Sequence, residues 1–336
     1  MSLFQKYLLL SVTVWCYALH AQDVHFSQYY FSPLSLNPAN TGNFKGDYRF
    51  FGNYRSQWRD INKAYNTMSV GGDFNFFPRN KQYAAGFVLI NDKSGGNLQV
   101  NKLLFSLAKH VKWKGNQLHV ALQPGAVMKS IDMNANTFPN QLNWNKGQFD
   151  NTLPNNEAFT GQVYTYFDLN AGLAWSRKMG KVEPEIGAAC FHLTQPNESF
   201  YGQNNKLSIR QAYNLALSYS VNPQVILKVH SLYGLTTRTS DWVSGANVVY
   251  VLSRDAFFDN SFFAGVMWRS GIGRNADAGI ATMGFNVSHY TVGFSYDITF
   301  SSLKTAVNSK GGFELSFIYR AKSTRLVKKI IPCERY

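Results

Sequence analysis

The run "TVGFSYDITFS", Thr291–Ser301, decides the fold. Val292, Phe294, Tyr296, Ile298 and Phe300 alternate with Thr291, Gly293, Ser295, Asp297, Thr299 and Ser301. Successive side chains of a strand point to opposite faces, so this is a strand with one greasy and one polar face. "FDLNAGLAWSR" (Phe167–Arg177) repeats the pattern with Phe167, Leu169, Ala171, Leu173 and Trp175, and "FELSFIYR" does so with Phe313, Leu315, Phe317 and Tyr319. In Tyr48–Trp58, Tyr48, Phe50, Gly52, Tyr54, Ser56 and Trp58 share a face. Arg49, Asn53, Arg55 and Gln57 take the other, with Phe51 as the exception. Many residues on the polar faces are small.

Extended along the chain, the pattern gives about fourteen strands of roughly ten residues, the length a tilted strand needs to cross a bilayer. They fall near 47–58, 65–77, 82–91, 98–112, 117–131, 165–177, 182–193, 207–221, 224–236, 241–252, 260–270, 278–288, 290–301 and 311–321. Leu98–Val111 mixes its faces, with Lys102 and Lys109 on opposite parities. No segment sustains a helical period. In lipid every backbone amide must be paired, so a spanning sheet has to close. The expected fold is an all-β transmembrane antiparallel barrel over residues 47–336.

The connections carry independent information. Even-numbered gaps are short: 78–81, 112–116, 177–181, 222–223 and 288–290, with 253–259 somewhat longer. The long gaps, 132–164, 194–206, 271–277 and 302–310, are odd-numbered. Short periplasmic turns and longer external loops are the habit of outer-membrane barrels. An even strand number also returns the C-terminal tail to the periplasm. A soluble sandwich gives no reason for this parity.

The start of the chain fits that destination. Lys6 is the only charge before an apolar run from Tyr7 to Ala21, which reads as a secretory signal peptide over residues 1–21, cleaved between Ala21 and Gln22. Removing it leaves 336 − 21 = 315 residues and lowers the net charge from +14 to about +13. Aromatic residues make up 15% of the chain, which suits lipid-facing girdles better than a soluble core. Beyond the signal peptide only Cys190 and Cys333 remain, too few for a disulfide framework. Both are expected to be free.

Little here points to chemistry. His110, His119, His192, His230 and His289 lie in or near strands without a nucleophile or carboxylate beside them in sequence, and GxSxG, HExxH and phosphate-loop motifs are absent. Glu183 and Glu185 share a polar face, as lumen charges facing an arginine would. The asparagine-dense stretch 134–156 reads as a solvated external loop. No catalytic, metal or cofactor site is expected. The basic residues interleave with aromatics, but the signal peptide and the period-two pattern argue against nucleic acid. Arg79, Lys81, Lys112, Lys114, Arg177, Lys178 and Lys181 sit in the even gaps, and Arg325, Lys328, Lys329 and Arg335 in the tail. All are expected at one mouth, to dock a periplasmic partner or to meet lipid phosphates.

"FSQYYFSPLSLNPANTGNF" followed by "DYRFFGNYRSQW", then "VGFSYDITFSSL", "GGFELSFIY" and the terminal "PCERY" resemble the ends of the PorP/SprF family of the type IX secretion system of Bacteroidota. Glu334 and Tyr336 stand where that family more often has Pro and Phe. The resemblance implies a non-enzymatic outer-membrane barrel working with the secretion machinery. It implies a secreted partner with a C-terminal sorting domain, often a large adhesin, and in gliding species a link to adhesin display. A general solute pore is the alternative, and a barrel enzyme acting on lipid a more distant one. Residues 22–46 precede the first strand at the short-turn mouth. Pro33 and Pro38 bar them from a sheet ladder, and their aromatic content fits an ordered segment that folds into the lumen as a partial plug.

Overall fold

The computed structural model describes residues 26–59, 64–95, 97–132, 136–157, 161–237, 239–254, 258–271, 276–301 and 310–323. The expected signal peptide with its cleavage pair Ala21 and Gln22, Cys333 and the four basic residues of the tail lie outside them. Fourteen strands form one closed antiparallel barrel. They are β1 (Tyr48–Gln57), β2 (Tyr65–Phe76), β3 (Gln82–Ser94), β4 (Leu98–Trp113), β5 (Asn116–Ile131), β8 (Val163–Arg177), β9 (Val182–Phe191), β10 (Arg210–Ser220), β11 (Val225–Leu235), β12 (Ser240–Arg254), β13 (Asp259–Ser270), β14 (Ala276–Val287), β15 (Tyr290–Thr299) and β16 (Lys310–Arg320). A separate small ladder, β6 (Leu142–Asn143) with β7 (Gln148–Phe149), sits in the loop between β5 and β8. Each expected strand overlaps one barrel strand. Closure is made by β1 against β16, from Arg49 opposite Arg320 to Gln57 opposite Gly312, which leaves no open edge.

The burial pattern is inverted relative to a soluble protein. In β15, Phe294 is 41% exposed while Asp297 is fully buried. The same alternation runs through β1, where Tyr48, Phe50 and Tyr54 face out and Arg49, Asn53 and Arg55 face in. A continuous apolar outer wall of this extent would aggregate in water; lipid solvates it. Aromatic residues mark both borders of the wall. Tyr48, Phe76, Trp113 and Tyr250 lie at the end carrying the short turns, and Trp242, Trp268 and Phe300 at the other.

The two ends differ as the gap lengths predict. One carries short turns such as Lys114–Gly115, where both residues have positive φ (45° and 82°), the primed geometry that matches strand twist. The other carries the long connections 132–162 and 192–209. The mixed parity of β4 also has a physical reason. Lys102 follows the inward parity of buried Leu104, Ser106 and Ala108, whereas exposed Lys109 lies outside near the short-turn border. There its aliphatic stem can cover wall while the ammonium reaches the headgroup layer.

Candidate functional site: the occupied lumen

Residues 26–44 meet inward-facing groups of strands all round the barrel, a set that only a segment inside the cylinder can touch. Their local structure follows from the prolines. Pro33 opens a one-turn helix, Pro33–Leu36, and Pro38 opens a helical turn, Pro38–Asn40. At the first helical position the missing N–H of proline costs nothing. Asn37 caps the second turn by accepting from the Ala39 amide at 2.9 Å.

The described part of the segment, from Phe26 onward, does not start where the sequence suggested. Only its C-terminal end lies at the short-turn mouth; residues 26–28 sit in the half nearest the long loops. A buried charge cluster holds them there. The Ser27 and Gln28 amides donate to Glu314 at 2.8 and 3.0 Å, and the Ser27 hydroxyl donates to Asp297 at 2.9 Å. Arg55 pairs with Asp297 at 2.7 Å and Glu314 at 3.3 Å, and Arg269 pairs with Asp297 at 3.0 Å and Asp277 at 2.7 Å. A proline has no carboxylate-binding amide to offer, so the two consecutive non-proline amides before Pro33 suit this role.

In mid-lumen the aromatic residues are placed individually. Tyr29 packs among Phe191, Leu232, Val243, Met267 and Ile280. Tyr30 stacks on His230 with ring centroids 4.5 Å apart, and its hydroxyl accepts from Asn247 at 3.3 Å. Burial pushes the Tyr30 phenol up to about 12 and the Tyr29 phenol higher, so both stay neutral. Leu34 fills a pocket of Phe51, Val88, Ile90 and Leu104. Its carbonyl accepts from Gln123 at 3.0 Å, and Gln123 also donates to Ser106 at 2.8 Å and accepts from Asn170 at 3.1 Å. The β4–β5 register skips Phe105 and Ser106 opposite Gln123 and Pro124. Pro124 cannot donate to a ladder, and Gln123 reaches the segment from this break.

Small inward-facing residues explain how the chain fits. Ala39 packs on Ala84, Ala108, Ala121 and Ala174. A side chain at Gly172 would collide with the Asn37 amide group and the Ala39 nitrogen. Near the mouth Gly42, with φ of 72°, donates its amide to Asp73 at 2.7 Å; a Cβ there would strike Ala84. Asp73 is also held by Arg49 at 2.7 Å, and Arg49 donates to the Asn40 carbonyl at 3.0 Å. His110 bonds the Thr41 carbonyl through Nε2 at 2.9 Å, and its Nδ1 meets Nδ1 of His119.

The other expected residues fall as follows. Arg79, Lys81, Lys114, Lys178 and Lys181 are exposed in the β2–β3, β4–β5 and β8–β9 turns, and Lys112 and Arg177 are exposed at the strand ends that enter the last two. Those turns are neighbours in the barrel order, so the seven cations form one arc of the short-turn mouth. His192 bonds Asp168 at 2.8 Å inside the lumen, and Cys190 is free. Sequence reasoning did not single out Arg55, Arg269, Asp297 and Glu314 as a cluster. The available signal was the charge of each on the inward parity of its own strand.

The model of the family described as type IX secretion system membrane protein PorP/SprF matches residues 18–319. The chain belongs to that family. No curated protein matches it. Among solved structures, the chain is similar to the toluene transporter TbuX of Ralstonia pickettii, at 10% identity and a TM-score of 0.50 over 86% of this chain and 94% of that one. It is also similar to the CymD monoaromatic hydrocarbon channel, at 13% identity and a TM-score of 0.50 over 87% and 93%. At these identities the likeness is of fold alone. Family and fold together make this a barrel of the outer membrane, associated with the type IX secretion machinery.

Proposed function

We propose that this PorP/SprF-family barrel is a non-enzymatic interaction component of type IX secretion whose lumen is plugged by its own residues 22–46. The observation that carries the proposal is the packing of residues 26–44 from the charge cluster at Arg55 to the mouth at Arg49. A lumen occupied along this length leaves no wide water path, which speaks against a general solute pore. Cleavage after Ala21 would make Gln22 the first residue of the plug. Mature protein in planar bilayers is expected to show little conductance, and deletion of residues 22–44 to open it. Large, stable conductance in the intact protein would overturn the plug and favour the pore.

The barrel then works through its surfaces. The basic arc at the short-turn mouth docks a periplasmic protein of the machinery, and the assembly aids secretion or surface attachment of a partner such as a large adhesin with a C-terminal sorting domain. The apolar wall meets outer-membrane lipid. A single-sign cluster speeds docking of an acidic partner, while one exposed pair is worth only about 0–1 kcal/mol. The test is therefore collective: Lys112, Lys114, Arg177, Lys178 and Lys181 changed to Glu together, with insertion checked first. Co-purification of periplasmic partners is expected to fall, and in the native protein to weaken with salt. Unchanged, salt-insensitive co-purification would remove the arc as the contact.

A further inference from the structure

The lower half of the segment leans to one side of the lumen. The turn Pro38–Asn40 packs on β4, β5, β8 and β9. Opposite it, between β11–β16 and β1, a cavity of about 280 Å³ stays open. It runs from the Tyr30–His230 stack in mid-lumen to Asn43 and Phe44 near the short-turn mouth. Three basic side chains line it, Arg49, Lys228 and Arg320, and among the described residues no carboxylate does.

The cations differ in how they are satisfied. Arg49 is matched by Asp73. Lys228 has no hydrogen bond or ion pair among the described residues; the charges that reach it are those of Glu183, Asp259 and Arg320, none in contact. Arg320 has its Nε buried without a partner, donates to the Thr291 hydroxyl at 3.4 Å and lies over the Phe258 ring at 5.2 Å, with no carboxylate in contact among the described residues. Two neighbouring half-buried basic groups without a counter-ion in contact are a costly arrangement that an anion relieves. The rest of the lining is of another kind. Phe31, Val249, Phe263 and Ile318 give an apolar wall, and the Tyr30–His230 stack adds two flat faces. With about 30 Å³ for each water-sized group, the space holds on the order of ten non-hydrogen atoms.

We infer that this cavity is a binding site for a small organic carboxylate with a compact planar apolar body. The carboxylate sits between Lys228 and Arg320, and the body lies against the aromatic and aliphatic wall. Inorganic phosphate would satisfy the cations but leave the apolar wall bare, and a neutral aromatic would do the reverse. The site rests on the placement of residues 26–44 inside the lumen, but on neither the secretion role nor the basic arc.

The test uses full-length mature protein folded in detergent and ¹⁹F NMR of 4-fluorobenzoate. Saturable line broadening is expected, absent with 4-fluorobenzyl alcohol at equal concentration and not abolished by excess inorganic phosphate. Lys228→Gln and, separately, Arg320→Gln are expected to weaken binding roughly tenfold or more, the loss of one charge-assisted contact, while Lys112→Gln on the outer rim leaves it unchanged. Heat-modifiable migration establishes that each variant is folded. No saturable binding to the native protein overturns the inference, as does equal binding of the alcohol. Complete displacement by phosphate overturns the organic class. If one lumen variant fails to fold, the other decides: a folded variant binding like the native protein excludes the site.

Discussion

Arg55 shows what a single inward residue does in this protein. Its side chain is 2% exposed and joins Asp297, Glu314 and Ser27, which come from two other strands and from the segment. Removing one partner of a buried ion cluster leaves uncompensated charge, at a cost of about 3–5 kcal/mol. Arg55→Ala is therefore expected to destabilise the barrel by about that amount, read as a lower urea midpoint in vesicles. It is also expected to free residues 26–28, because Glu314, which receives the Ser27 and Gln28 amides, would lose its paired cation while Asp297 keeps only Arg269. Arg55→Lys keeps the charge but loses the fork that spans both carboxylates, so it falls between the two. A midpoint unchanged in Arg55→Ala would mean that Arg269 alone holds the cluster.

The elements were legible in the sequence to very different degrees. Strands such as β15 announce themselves, because lipid outside and water-like groups inside impose a strict period of two on every residue. The short gap at 112–116 was readable as a break in that period, whereas the primed geometry at Lys114–Gly115 is seen only in the structure. The interior was not. Ser27 meets Asp297 across 270 positions and Asn37 meets Asn214 across 177, and nothing near either residue in sequence names its partner. What could be read was permission: glycines and alanines on the polar faces, which make the room that Asn37 and Ala39 occupy. The placement of the segment has a direct check. The Ser32 and Ser69 hydroxyls lie 3.1 Å apart, one on the segment and one on β2. Ser32→Cys with Ser69→Cys is expected to form a disulfide during export into an oxidising compartment, seen as a mobility shift lost on reduction. Two free thiols in a folded barrel would place the segment elsewhere.

At the scale of the whole molecule, the difference between the barrel's ends sets its orientation in the membrane. Six connections at one end are short, and that end also carries the basic arc, the last described residues of the chain and the C-terminal end of the lumen segment. Ser323 bonds Asp47 at 2.7 Å there, so both ends of the barrel domain are tied at the same mouth. A barrel inserted from the periplasm keeps its short turns on that side, because long polar loops are the parts that must face the exterior. The connection 132–162 is then expected to project outside the cell. Its composition agrees: Trp144 is 84% exposed among asparagines, and the regular structure among the described residues there is limited to a helical turn, Pro139–Gln141, and the β6–β7 ladder of two residues a side. Such a loop tip tolerates insertion, since little buried backbone is disturbed. An epitope placed after Asn155 is expected to be reached by antibody on intact cells, with barrel assembly unaffected. Labelling that requires permeabilised cells would invert the orientation. It would also move the basic arc to the cell surface and exclude a periplasmic partner there. The same labelling experiment therefore bears on the sidedness of the cavity between Lys228 and Arg320, whose lining extends to Asn43 and Phe44 near the short-turn mouth, so that a ligand entering there is expected to come from the periplasm.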